Sequence, residues 1–123
     1  AGFSIIEPWL PVHSNFNERN VESQTADPDS ILNFVKNIIR IRKNEPALQR
    51  GDFNPAITDP GHLLAFTRTL GADKIIVILN FSSRELTYQL PDGDWVSLFD
   101  NQTTENKLLK INPYQVHILK LKD

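Results

Sequence analysis

The chain has 123 residues, 40% of them hydrophobic and 23% charged, a composition that supports one folded domain and excludes intrinsic disorder. Thirteen basic against fifteen acidic side chains leave a net charge of −2, and with no Lys/Arg run and a pI near 5.9 nucleic acid is not an expected partner. No apolar run approaches the roughly 18 residues of a membrane span, so no membrane is expected, and the absence of Cys excludes disulfides, thiolate metal sites and a cysteine nucleophile.

There is no Met, and nothing at the start has the charged and apolar regions of a signal peptide. A chain opening on Ala1 reads as an excised piece, with a cytoplasmic location favoured for its parent. Residues 1–26, with Pro8, Pro11, several Asn and no helical or strand period, read as an extended segment. Its apolar content, Phe3, Ile5, Ile6, Trp9, Leu10, Val12 and Phe16, suits a loop that packs against something outside the chain.

Residues 28–44 predict the best-defined element, a helix with Asp27 as N-cap, Pro28 at its first position and Pro46 as its stop. Asp29 and Lys43 sit at the ends that suit the macrodipole. At about 100° per residue, Ile31, Leu32, Phe34, Val35, Ile38, Ile39 and Ile41 occupy one half of that helix. An apolar half about 180° wide exceeds the roughly 100° stripe of a helix lying on a single surface, which predicts a helix wedged among several neighbours. Arg42 interrupts this half, either as a side chain snorkelling past the last turn or as one member of a buried ion pair.

From Leu48 onward β-rich runs alternate with turn formers, the pattern of an antiparallel sandwich. Strands are expected near 48–53, 62–69, 73–81, 84–90, 94–99, 107–111 and 115–122. They are joined at Asp59-Pro60-Gly61, Gly71-Ala72-Asp73, Ser82-Ser83 and Pro91-Asp92-Gly93-Asp94. The run Ile75–Phe81 is apolar on both faces and belongs in the middle of a sheet. Lys120 and Lys122 mark the last run as lying near an edge.

The usual catalytic signatures are missing: G-x-S-x-G, the P-loop, H-E-x-x-H and the EF-hand loop. His13, His62 and His117 do not cluster, which favours surface or hydrogen-bonding roles over a metal site. No metal and no cofactor is expected. The carboxylate pairs Asp92/Asp94 and Asp27/Asp29 have structural work in a turn and a helix start. Asn80-Phe81-Ser82 and Asn101-Gln102-Thr103 match the glycosylation pattern, which recurs by chance. Trp9 and Trp95 could each stack on a sugar ring, although a lone Trp more often serves packing. Trp9 is the candidate substrate-binding residue, and no catalytic residue is assigned.

Several blocks carry a family resemblance. Gly2-Phe3-Ser4, Glu7-Pro8-Trp9-Leu10-Pro11-Val12, Asn20-Val21-Glu22 with Gln24, Asp27-Pro28-Asp29-Ser30-Ile31-Leu32, Arg42-Lys43 and Pro46-Ala47-Leu48 closely resemble the C-terminal stretch of the α-amylase family of glycoside hydrolases. The nearest branch is the oligo-1,6-glucosidase and α-glucosidase group, including sucrose-isomerising relatives. Val77–Ser82 and Pro113-Tyr114-Gln115-Val116 resemble that family's C-terminal β-domain.

The resemblance implies that residues 1–46 close a (β/α)8 barrel with its last loop and final helix, and that residues 47–123 form a Greek-key β-sandwich. It implies a parent that acts on α-linked glucosyl oligosaccharides through a covalent glycosyl intermediate. The parent's three catalytic carboxylates would lie on earlier barrel strands, no position here matches their motifs, and the family's usual calcium site, which this branch does not always have, would also lie upstream. The expected partners are therefore the rest of the barrel and, for the parent, an α-glucosidic oligosaccharide. In isolation the chain is expected to repack the helix on its own sandwich, to self-associate through the apolar helix face, or to aggregate. A second possibility is an independent carbohydrate-binding or interaction sandwich that uses Trp95.

Overall fold

The computed structural model describes residues 5–56, 62–104 and 107–122. The chain divides into two compact units, one running through Ile39 and the other from Arg40 onward.

The first unit is built by local hydrogen bonds. Helix α1 (Val21–Ala26) starts at a reciprocal capping box: Asn20 Oδ1 accepts from the Ser23 amide at 2.9 Å, and Ser23 Oγ accepts from the Asn20 amide at 3.3 Å. This satisfies donors that every helix start leaves without intrahelical partners. It also corrects the reading of residues 1–26 as wholly non-helical, because six residues are too few for a period to show. Helix α2 spans Ile31–Asn44, three residues shorter at its start than the sequence predicts. Asp27 and Pro28 lie in the turn before it, where Asp27 Oδ1 accepts from the Asp29 amide at 3.0 Å. The capping role passes to buried Ser30, whose Oγ accepts from the Asn33 amide at 3.2 Å.

The second unit holds the end of α2, the short helix α3 (Pro46–Arg50) and seven strands. These are β1 (Asn54–Ala56), β2 (Leu63–Leu70), β3 (Asp73–Asn80), β4 (Leu86–Gln89), β5 (Trp95–Ser97), β6 (Leu108–Ile111) and β7 (Val116–Leu121). Five form one antiparallel sheet in the order β1-β2-β3-β7-β5, and β4 pairs with β6 in a second. From β3 to β7 the chain changes sheet at every step, so that successive strands alternate between the two sheets. Trp95, Ile76, Ile78, Ala65 and Leu119 on one face of the large sheet pack with Tyr88, Leu90 and Ile111 of the small sheet and its borders. On the opposite face Ile75, Val77 and Ile118 pack with Ile41, Ala47 and Leu48.

Strand β3 thus feeds both cores, Ile76 and Ile78 into one and Ile75 and Val77 into the other. Its two apolar faces are the sequence signature of that central position. The β2–β3 hairpin turns in two residues, with Gly71 at φ 62, which only a residue without Cβ takes freely. Gly93 (φ 125) likewise takes a backbone conformation that L side chains rarely adopt, and a Cβ there would also press on the tip of Leu121.

Three β-region expectations are corrected. Residues 48–50 of the expected 48–53 strand belong instead to α3 (Pro46–Arg50), started by Pro46 at a position where its missing N–H is harmless; Ala47 and Leu48 bury against the sheet. The short β1 was not expected, and its Pro55 is tolerated because β1 is an edge. Strand β7 lies between β3 and β5, not at an edge. Lys120 is accommodated there because its ammonium meets Glu45 at 2.9 Å and Asp73 at 3.0 Å. The expected Asp59-Pro60-Gly61 turn lies outside the described residues. Arg42 is exposed and donates to the Leu48 carbonyl at 2.7 Å; no buried ion pair forms with a carboxylate among the described residues, and the side chain reaches over the α2–α3 corner.

Candidate functional site

The apolar side chains of the first unit are its most conspicuous chemistry. Trp9 is 91% exposed, and Leu10, Val12 and Phe16 are exposed beside it in sequence. On α2, Ile31 is 78% exposed and Val35 and Ile39 are open to solvent, while Leu32 and Ile38 are half-buried and Ile41 is buried. The wide apolar half predicted for this helix is therefore present, with only its C-terminal end covered.

The polar motif residues between these surfaces fix the corner joining α1 to α2. Ser30 Oγ donates to the Gln24 carbonyl at 2.6 Å, Asn33 Nδ2 donates to the same carbonyl at 3.0 Å and to that of Asp27 at 2.7 Å, and Gln24 Oε1 accepts from the Leu32 amide at 3.1 Å. Asn20, Gln24, Asp27 and Ser30 are thus occupied by backbone groups. Asn33 is the member that sequence reasoning missed; its only signal was its place three residues after Ser30.

The two tryptophans part company. Trp95 is 1% exposed, its ring lies between the sheets, and its Nε1 donates to the Pro91 carbonyl at 3.0 Å. It has no face to offer a sugar, which corrects the expectation that it might stack and removes the footing of an independent Trp95-based binding module. Trp9 keeps both ring faces accessible.

No group of three metal-ligating side chains occurs among the described residues. His13 Nδ1 lies 2.6 Å from Asn15 Oδ1 on the surface, and the His62 carbonyl accepts from the Phe81 amide. His117 Nε2 is buried with no hydrogen-bond partner among the described residues. Burial holds the His117 imidazole below its ordinary range, and the Asp100 charge opposes this. The Lys120 ammonium is held above the usual lysine range by hydrogen bonds to Glu45 and Asp73. Burial raises the Tyr88 phenol. Asp92 is lowered by its bond to Lys107, and Asp100 by hydrogen bonds led by the Gln102 amide.

Asn80 is a structural hub. It is buried, donates to the carbonyls of Arg84 (2.7 Å) and Asn112 (2.9 Å), and accepts from the Ser82 amide (2.9 Å) and hydroxyl (2.8 Å). A side chain so engaged is closed to glycosylation in the folded state. The carboxylates Glu45, Asp73, Asp92 and Glu85 are likewise engaged, each paired with a lysine.

This arrangement, a capped helical corner followed by an antiparallel sandwich, has close counterparts. The family profile for the α-amylase catalytic domain matches residues 1–51. Across 99% of its length the chain is 31% identical to an oligo-1,6-glucosidase of Parageobacillus thermoglucosidasius and 33% identical to one of Bacillus cereus, covering 23% of each. Among solved structures it superposes on the trehalulose synthase MutB of Pseudomonas mesoacidophila with a TM-score of 0.84 at 30% identity, over 98% of this chain and 23% of that one. It superposes on the trehalose-6-phosphate hydrolase of Bacillus licheniformis with a TM-score of 0.80 at 33% identity, over 99% of this chain and 24% of that one.

The chain belongs to the α-amylase family of glycoside hydrolases. Its place within that family is on the oligo-1,6-glucosidase and α-glucosidase branch, where it spans about a quarter of the length of the relatives it matches.

Proposed function

We propose that the chain is the non-catalytic C-terminal part of an α-glucosidase-type retaining glycoside hydrolase acting on α-linked glucosyl oligosaccharides. Residues 1–46 complete the (β/α)8 barrel, residues 47–123 form the accompanying sandwich domain, and the role of the whole segment is to support the barrel. The observation that carries this reading is the match along nearly the entire chain to oligo-1,6-glucosidases more than four times as long. The open apolar side of α2 supports it independently. Each such side chain, fully buried, would contribute about 1.5–3 kcal/mol, and a barrel wall supplies the covering surface.

In this reading Trp9 belongs to the rim of the barrel's active-site face, where βα loops gather, and its open ring stacks on a glucosyl unit. Bond cleavage itself is the work of carboxylates elsewhere in the enzyme. The test is hydrolysis of isomaltose and of an aryl α-glucoside. The full-length enzyme should cleave them, the purified 123-residue chain should not, and Trp9→Ala in the full-length enzyme should raise KM severalfold with kcat less affected. Hydrolysis by the isolated chain, or a full-length protein inert toward α-glucosides, would overturn the proposal.

A further inference from the structure

The second unit contains a cleft of about 200 Å³ between the last turn of α2 and the loop that follows β5. Its floor is apolar: Ile41 is a core residue, and Leu98 and Phe99 pack against the same core. Its walls are polar, formed by Arg40, Asn44, Glu45 and Asn101. Arg40 and Asn44 are four residues apart and so share one edge of the helix. That edge belongs to the polar half of α2, which in an amphipathic helix is the side that faces water.

Hydrogen-bonding capacity is left over around this cleft. The side-chain amides of Asn44 and Asn101 make no hydrogen bond among the described residues. Glu45 is only 15% exposed at its side chain and meets the Lys120 ammonium through Oε2 at 2.9 Å. Its Oε1 makes no hydrogen bond among the described residues. The loop that carries Asn101 is already fixed. Asn101 N–H donates to Ser97 O at 2.9 Å, Ser97 N–H donates to Gln102 O at 2.9 Å, and Asp100 Oδ1 accepts from the Gln102 amide at 3.1 Å. Asn101 holds φ 60, a conformation that Asn tolerates better than most residues and Gly adopts freely.

We propose that this cleft is a further carbohydrate site, which takes one glucosyl ring; the choice of sugar rests on the glucosidase reading above. Charge does not favour an ion. Lys120 is shared by Glu45 and Asp73, so this trio carries one negative charge, and Arg40 on the same wall balances it. A sugar hydroxyl both donates and accepts, and the walls answer both needs: a carboxylate oxygen accepts, a guanidinium donates, and two amides do either. The floor offers one aromatic and two aliphatic side chains to the C–H surface of a ring. The volume falls below the roughly 300–1,000 Å³ of a drug-sized pocket and leaves room for one small polar ring.

Amide NMR spectra of the 123-residue chain, titrated with isomaltose and separately with glucose, test this. Both sugars should shift the backbone amides of Leu98–Asn101 and the side-chain amide of Asn44, with saturation in the millimolar range. Trp9→Ala should leave these shifts in place, which separates the cleft from the Trp9 ring. Asn44→Ala and Asn101→Gly should each weaken binding about threefold to tenfold, with the thermal midpoint unchanged. Resonances that stay still, shifts that vanish in Trp9→Ala, or variants that bind as tightly as the parent chain would each overturn the proposal. Inorganic phosphate moving the same amides where sugars do not would make this an anion site and overturn it too. Isomaltose hydrolysis by the full-length enzyme reports on the glucosidase reading separately. An active enzyme with silent resonances overturns the cleft alone, and an inactive one with sugar-responsive resonances overturns the glucosidase reading alone.

Discussion

The two units of this chain use similar apolar residues to opposite effect. From Arg40 onward they close two cores on either side of a five-stranded sheet, whereas among the described residues before Arg40 the buried side chain is a serine, Ser30. The early unit is held by caps and turns between residues fewer than ten apart in sequence; the later one is held by pairings such as Lys120 with Glu45, 75 residues apart. Local hydrogen bonds are enough to specify the course of the chain, but each contributes only about 0.5–1.5 kcal/mol net. On the glucosidase reading proposed above, a unit built of them takes most of its stability from the barrel surface that covers it.

The contrast between the tryptophans gives the largest expected effect. Trp95→Ala should cost about 3–5 kcal/mol and Trp9→Ala close to nothing, read as the midpoint of chemical denaturation of the 123-residue chain. Comparable losses at both positions would break the comparison. Within the single helix α2, Ile41→Ala should cost about 2–4 kcal/mol in the same assay, while Ile31→Ala should be silent there and destabilising only in the full-length enzyme. Asn80→Ala leaves carbonyls and an amide unpaired at a buried site and should cost about 1–3 kcal/mol, with the loss confined to the sandwich.

The dependence on pH belongs to the second unit. Burial lowers His117, so the unfolded chain takes up that proton first: the associated stability is full above the ordinary value of 6.5 and is lost as pH falls through the lower folded value. At the other extreme Lys120 is raised, so its contribution is full below 10.5 and is lost as pH rises through the higher folded value; Tyr88, also raised, acts in the same direction above 10.0. Denaturation midpoints at pH 5, 7 and 11 should therefore peak at the middle value, and His117→Gln should flatten the acid side. The smallest effect is local. Asn20→Ala removes one arm of the capping box and should free α1 by about 1 kcal/mol, seen as faster amide exchange over Val21–Ala26 with no change in the sandwich.

How much of this was legible in the sequence differs between the same two units. The central place of β3 was readable because a strand buried on both faces must be apolar at consecutive positions. The edge assignment of the last run failed because the partners that neutralise Lys120 come from an interhelix link and another strand, and no local pattern announces them. Helices α1 and α3, at six and five residues, are too short to display a period and are set by a cap and a proline. The family resemblance placed the chain in the right family, and within its most specific block, Pro8 to Leu48, the stretch from Asn20 to Ser30 is written in capping residues. The sequence favoured Trp9 over Trp95 as the sugar-facing ring; what it did not show is the full burial of Trp95, which strand register places opposite Leu121 in the ladder.

The central claim is that, among the described residues, the apolar side chains of α2 are fully buried only at its C-terminal end, at Ile41, and that on the proposed reading a barrel surface covers the others. Native-state hydrogen exchange of the 123-residue chain measures this residue by residue. The account predicts that amides of Phe34–Ile38 exchange orders of magnitude faster than those of Ile75–Ile78, at a rate unaffected by tenfold dilution. Protection of Phe34–Ile38 equal to that of β3 in the isolated monomer would contradict it.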